Sequence, residues 1–147
     1  MDQTLSTLRA DNPGPFTGLG TNTYVLGQGA KTIVDPGPDM PAHLAAILGE
    51  VGSDRVEAIL VTHAHSDHTA DAVEIAKQSN ATIVGMYEVC SYLQNQGAPN
   101  IHPMNIGGSW IFDGMEIKMT PAIHSSSFHD GTYGGIAGGF TLKTNDH

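Results

Sequence analysis

The chain has one cysteine, Cys90, among 147 residues, so no intrachain disulfide can form. A reducing, cytoplasmic setting is the simplest one for such a sequence, and the thiol is expected to fill space on a helix. Basic residues are also scarce: 6 Lys and Arg stand against 15 Asp and Glu, a formal charge of −9, and they form no cluster. That disfavours a nucleic-acid module gripping phosphates through a basic patch, although a bound divalent cation can still bring an anionic substrate to an acidic protein. No window reaches the ~18 apolar residues that span a bilayer. The opening MDQTLSTLRADNPG has neither the basic start nor the apolar run of a secretory signal. Charged residues make up only 14% of the chain, 39% is hydrophobic and glycine occurs 18 times, the balance of an ordered, turn-rich α/β protein. A single domain over 1–147 suits this length.

Strand and helix patterns alternate along the first two-thirds. After a polar, proline-containing lead, TNTYVLG (21–27) and KTIVD (31–35) read as strands joined by a turn at Gln28-Gly29. Asp39 is a candidate N-cap with Pro41 in the first turn, and HLAAILGEV follows at helical spacing until Gly49 and Gly52 end it. VEAILVT (56–62) is continuously apolar, the pattern of a strand covered on both faces. TADAVEIAKQSN reads as a helix, ATIVGM as a strand and YEVCSYLQNQG as a helix closed by Gly97. This order implies parallel strands with right-handed crossovers. From Asn100 the pattern changes to short strands: NIHPMNI, SWIF and MEIKMTP about an Asp113-Gly114 turn, then GIAGGFTLKT. The fold class is α/β, a mixed β-sheet with packed helices.

Directly after the apolar strand comes THAHSDHT, residues 62–69. His63 and His65 are two apart, so an extended segment turns both imidazoles to one side and can aim them at one ion. Asp67 and His68 fall where a helix is expected to start, and the chain reversal there can present them to a second ion. A lone histidine at a strand end is more often just an exposed polar group, and Asp67 could be a plain N-cap. Four ligand-type groups in six positions behind a buried strand favour metal binding instead. His43, His102 and His147 lack such a context and read as surface residues. The stretch Gly18-Leu19-Gly20-Thr21-Asn22-Thr23 is not a dinucleotide loop, because it precedes a strand, whereas such a loop follows a strand and opens a helix.

His63-Ala64-His65-Ser66-Asp67-His68 matches the HxHxDH motif of the metallo-β-lactamase superfamily, with the required strand before it and helix after it. The resemblance implies half of an αβ/βα sandwich and a metal-dependent hydrolase. His63 and His65 would bind a first ion with a later histidine, while Asp67 and His68 would help to bind a second. His124, in TPAIHSSS after the strand MEIKMTP, is the expected later histidine, with His129 as a backup ligand or substrate contact. Asp35 resembles the family's strand-end Asp-x-Gly acid, which supports a ligand histidine from behind. The implied cofactor is zinc, one or two ions, with manganese, iron or nickel also compatible. Asp67 is the candidate catalytic residue, orienting the attacking hydroxide or holding the second ion.

The resemblance extends over the first half to two-thirds of the family's domain. The aspartate that bridges both metals and the last histidine are not recognisable, so the second ion has only Asp67 and His68. The segments before and after the motif resemble different branches of the superfamily, endoribonuclease-like and thioester-hydrolase-like before it and uncharacterised hydrolases after it. A recombined or engineered chain is therefore expected, and a natural mosaic or a truncated fragment would read the same way. A half-sandwich exposes a sheet face, so a homodimer is also expected, in which residues of one copy could supplement the other's site. Three functions compete: a hydrolase of an ester, thioester, lactone, β-lactam or phosphodiester bond in a small molecule; a weak or inactive metal-binding half-domain; and, least favoured by the charge, a nucleic-acid processing protein.

Overall fold

The computed structural model describes residues 4–144. The first strand falls within the segment read from sequence as a polar lead. β1 (Leu5–Arg9) pairs antiparallel with β2 (Asn22–Leu26), Leu5 opposite Leu26 and Arg9 opposite Asn22. Its LSTLR sequence carries only two apolar residues, and of these Leu8 packs on the core while Leu5 is exposed, so an edge strand hides behind a polar pattern.

β2 turns back into β3 (Ala30–Val34), and from there the chain builds a parallel array. β4 (Arg55–Val61) pairs parallel with β3, β5 (Thr82–Met86) with β4, and β6 (Asn100–Met104) with β5, giving the order β1-β2-β3-β4-β5-β6. The crossovers carry the helices: α1 (Pro41–Val51) between β3 and β4, α2 (Ser66–Thr69) and α3 (Ala72–Ser79) between β4 and β5, and α4 (Tyr87–Asn95) between β5 and β6. Since all three crossovers step in the same direction, right-handedness places their helices on one face of the sheet. β7 (Ser109–Phe112), β8 (Met115–Pro121) and β9 (Gly138–Thr144) form a separate antiparallel sheet. β4 is fully buried from Ala58 to Val61, as a strand covered on both faces must be, and Ile117 and Met119 of β8 join the same core as Ile33, Ile59 and Ile83.

Several local expectations change. The N-cap of α1 is Met40 rather than Asp39, without a side-chain hydrogen bond, because Pro41 takes the first helical position with its φ already set. Gly49 lies within the helix, and Gly52 alone ends it, its N–H bonding the Leu48 carbonyl. The helix expected over TADAVEIAKQSN (69–80) starts only at Ala72 as α3, behind the separate turn α2, and Asn80 in the left-handed region closes it. NIHPMNI does not join the short-strand sheet: β6 is the parallel edge of the main sheet, a place that tolerates Pro103. The Asp113-Gly114 turn holds, both residues taking positive φ as the hairpin requires. Cys90 is buried in α4 as a packing residue, and burial pushes its thiol up to about 12.

Two histidines read as surface residues are not. His102 is half-buried and stacks on Trp110, ring centroids 3.7 Å apart. His43 is only 4% exposed, its Nε2 lying 2.9 Å from the Thr23 hydroxyl, because helical spacing turns it with Ile47 toward the sheet. Burial holds the His43 imidazole below its ordinary pKa, with a backbone hydrogen bond to Gly37 opposing only in part. A histidine kept neutral when folded contributes stability that is complete above its unfolded pKa of about 6.5 and is lost as the pH falls below it. Urea midpoints should therefore drop between about pH 7.5 and about pH 5.5, and His43→Gln should shrink that drop relative to the parent chain.

Candidate metal centre

The site forms where the parallel strands β3 and β4 end, the usual crevice of an open α/β sheet. Asp35 follows β3 at φ +53°, a left-handed conformation that aspartate tolerates better than most residues. Its buried carboxylate faces the end of β4. Oδ1 accepts the Thr62 N–H at 2.8 Å, and Oδ2 accepts the Thr62 hydroxyl at 2.7 Å and His68 Nδ1 at 2.9 Å. Gly37 lets this loop lie against the motif: a Cβ there would sit 2.6 Å from the Asp67 carbonyl oxygen, closer than atoms can approach.

The Thr62 hydroxyl gives its proton to Asp35, so its oxygen accepts from His63 Nδ1 at 2.8 Å. This sets the His63 tautomer and leaves Nε2 with its lone pair. That atom is buried and has no hydrogen-bond partner among the described residues. An unsatisfied buried acceptor costs about 1–3 kcal/mol, so this one calls for a compensating partner. Burial, followed by the neighbouring His68, His124 and His65, holds the His63 imidazole down at about 3, which keeps it neutral and available as a ligand. His65 is also lowered, by burial and then by His124.

α2 starts at once, with His65 as its N-cap residue and its carbonyl accepting the His68 N–H at 2.9 Å. That turn brings Asp67 and His68 back toward His63. The Asp67 Oδ2 accepts the Thr21 hydroxyl at 2.6 Å and lies 3.3 Å from His68 Nε2. Burial opposes ionisation of Asp67, but the Thr21 hydrogen bond and the His68 charge outweigh it and hold its carboxyl below the usual range. For His68, burial lowers the pKa, yet the hydrogen bond to Asp35 and the charges of Asp35 and Asp67 raise it overall. When His68 is neutral with its proton on Nδ1, Nε2 and the Asp67 oxygen are both acceptors, and only a cation or a proton between them makes their approach favourable.

His124 arrives from the loop after β8. Its Nδ1 donates to the Ser125 carbonyl at 2.7 Å, and the Ser125 hydroxyl lies 3.1 Å from His65 Nε2. The loop is seated by Ser126, whose hydroxyl accepts the Ala64 N–H at 3.0 Å and donates to the Gly134 carbonyl at 3.3 Å. A side chain at Gly134 would bring its Cβ to 2.3 Å from that of Ala64. The ring centroids of His63, His65 and His124 lie 4.5–4.9 Å apart.

Two triplets of ligand-type groups converge, His63 with His65 and His124, and Asp35 with His63 and His68, each with ligand atoms within 4.8 Å of one another. Three imidazoles around an orphaned lone pair fit a divalent metal cofactor. In the second triplet Asp35 Oδ2 already accepts two hydrogen bonds, so it serves as an orienting group, while Asp67 lies beside His68 on the other side. His129 is exposed and outside both triplets, and His147 lies outside the described residues. Sequence reasoning passed over Thr62, Thr21, Gly37 and Ser126. Only Thr62, next to the motif, and Gly37, in the Asp-x-Gly element, carried a local signal. Thr21, in the stretch rejected as a dinucleotide loop, turns out to hold Asp67.

A parallel sheet whose strand ends carry HxHxDH, with a further histidine returning from a second sheet, defines the metallo-β-lactamase class of fold. The chain belongs to the beta-lactamase superfamily domain family, whose profile matches residues 31–147. It is 49% identical over 115 residues to a UPF0173 metal-dependent hydrolase of Flavobacterium johnsoniae, covering 78% of this chain and 50% of that protein. Among solved structures it resembles a metallo hydrolase from the archaeon Ignicoccus hospitalis, with a TM-score of 0.68 and 26% identity over 84% of this chain and 52% of that one. A metallo-beta-lactamase fold protein of Bacillus subtilis superposes with a TM-score of 0.72 over 99% of this chain and 59% of that one, at 17% identity, which speaks for the fold alone. The chain thus spans about half the length of the curated relatives it matches. Its architecture is α/β, the mixed sheet and packed helices of that sandwich.

Because Thr62 couples Asp35 to His63, Thr62→Val should weaken metal binding by about 10- to 100-fold, the usual cost of losing an orienting partner. Competition against a chromogenic chelator measures this, and an unchanged far-ultraviolet circular dichroism spectrum would separate it from unfolding.

Proposed function

We propose that the chain is the metal-binding half of a metal-dependent hydrolase, with His63, His65 and His124 holding the principal ion. The observation that carries this reading is the buried, unpartnered His63 Nε2, facing two further imidazoles. A divalent ion, zinc in the first instance with manganese, iron or nickel also suited to the donors, would supply Lewis acidity to activate a water and polarise a scissile carbonyl or phosphoryl oxygen. Asp67, ionised and fixed by Thr21, would orient the attacking water or help to seat a second ion with His68. Asp35 holds the His68 ring and, through Thr62, the His63 ring, so neither must reorganise. The substrate is a small molecule with an ester, thioester, lactone, β-lactam or phosphodiester bond; the metal-dependent hydrolase relatives support the reaction class. His65→Ala and His124→Ala should each lower hydrolysis by more than the about 10- to 100-fold that an orienting partner contributes. Exhaustive chelation should abolish hydrolysis, and activity that survives either treatment would sink the mechanism.

A second reading is a catalytically weak or inactive half-domain that self-assembles as a homodimer. It is favoured by large apolar side chains left exposed in the segments leading into Thr21 and His124, among them Phe16 at 99% and Ile123 at 107% exposure. A two-fold pairing would cover those residues and let one copy supplement the other's second ion site. Light scattering should then report a dimer, and a monodisperse monomer would exclude it. Metal binding without turnover of an ester, a phosphodiester and a chromogenic β-lactam would select this reading over the first.

A further inference from the structure

Beside the histidine cluster lies a cleft of about 500 Å³ that the metal chemistry does not use. Ser66, between His65 and Asp67, forms its edge toward the histidines, so a molecule reacting at the cluster can extend into it. One wall is aromatic: Tyr92 of α4 stacks on Phe128 at 3.6 Å, and Leu93 and Val73 add apolar surface. The polar groups facing it are unbalanced. Asp39 and Glu74 line the cleft together with the His129 imidazole, and no Lys or Arg does. Neither carboxylate is in an ion pair among the described residues, Glu74 accepting only the Gln78 amide at 2.7 Å. A third carboxylate, Asp130, accepts the hydroxyl of the lining residue Tyr92 at 3.1 Å. The field reaches the protein itself: burial, followed by the charges of Asp39 and Glu74, pushes the buried Asp71 carboxyl up to about 6.

We infer that this cleft binds the ammonium-bearing, apolar part of a small-molecule substrate, the amine between Asp39 and Glu74 and the carbon skeleton on the Tyr92–Phe128 wall. The inference rests on the hydrolase reading for the word substrate, but the binding site does not depend on metal. Ammonium recognition by two carboxylates beside an aromatic face is favourable, and an anionic group would meet their repulsion with no Lys or Arg to hold it.

The test separates the two claims. With chelator present, phenethylammonium, 2-phenylethanol and phenylacetate are titrated into the full chain while the backbone amide resonances of Ser66, Glu74, Leu93 and Phe128 are followed. Phenethylammonium should shift those resonances and bind most tightly, phenylacetate should bind least, and Asp39→Asn and Glu74→Gln should each weaken the ammonium about threefold or more. Both carboxylates are exposed, so the variants should keep the parent amide spectrum. Equal binding of the three probes, tighter binding of phenylacetate, or unaltered affinity in both variants overturns the cleft assignment. With metal restored, matched ester substrates bearing cationic, neutral and anionic acyl groups test the coupling. Preference for the cationic ester supports it, and equal rates overturn it while leaving the hydrolase reading intact. Ammonium binding with no ester turnover leaves the cleft standing and removes the hydrolase reading instead.

Discussion

The site depends on one buried carboxylate. Asp35 sits between the ends of two parallel strands and accepts hydrogen bonds from the Thr62 backbone, the Thr62 hydroxyl and the His68 ring. A buried carboxylate is costly unless its oxygens are satisfied, so these three donors are held in place as firmly as they hold it. The consequence is directional. The Thr62 hydroxyl must point at Asp35, so its oxygen must accept from His63, and His63 must present Nε2 to the cluster. One charge thereby sets the orientation of two histidines that lie five residues apart in sequence.

Close backbone approach makes that network possible. Gly37 brings the β3–α1 loop against the Asp67 peptide, and Gly134 brings the His124 loop against Ala64, each leaving no room for a side chain. The same loops end in opposite environments. On the side of His63 and His124, imidazoles crowd around an acceptor without a partner among the described residues. On the side of Ser66, carboxylates gather around a cleft that no Lys or Arg lines. The first arrangement suits a metal, and the second suits an organic cation, so in the proposed hydrolase activation and recognition would fall on neighbouring surfaces of one short helix.

Much of this was legible in the linear chain. The continuous apolar stretch before the motif reads as a doubly covered strand because burial on both faces removes any alternation, and β4 is such a strand. The HxH spacing reads as a shared ligand face because an extended backbone repeats every two residues. β1 was not legible, since an edge strand with one exposed face needs few apolar residues, and LSTLR has only two. The burial of His43 was missed for a related reason: a single polar residue on an apolar helix face is readable only once its partner, Thr23, is known to lie beneath it.

By itself, the sequence determined that a metal-type cluster follows a buried strand in an α/β chain, because ligand spacing and hydrophobic periodicity are local properties of the backbone. Only the tertiary structure decided which nitrogen of His63 stays free, which carboxylate orients and which stands beside His68, and which acidic residues share a cleft. Those assignments depend on hydrogen bonds between residues separated by 27, 33 and 46 positions, and no local pattern encodes a contact at that range.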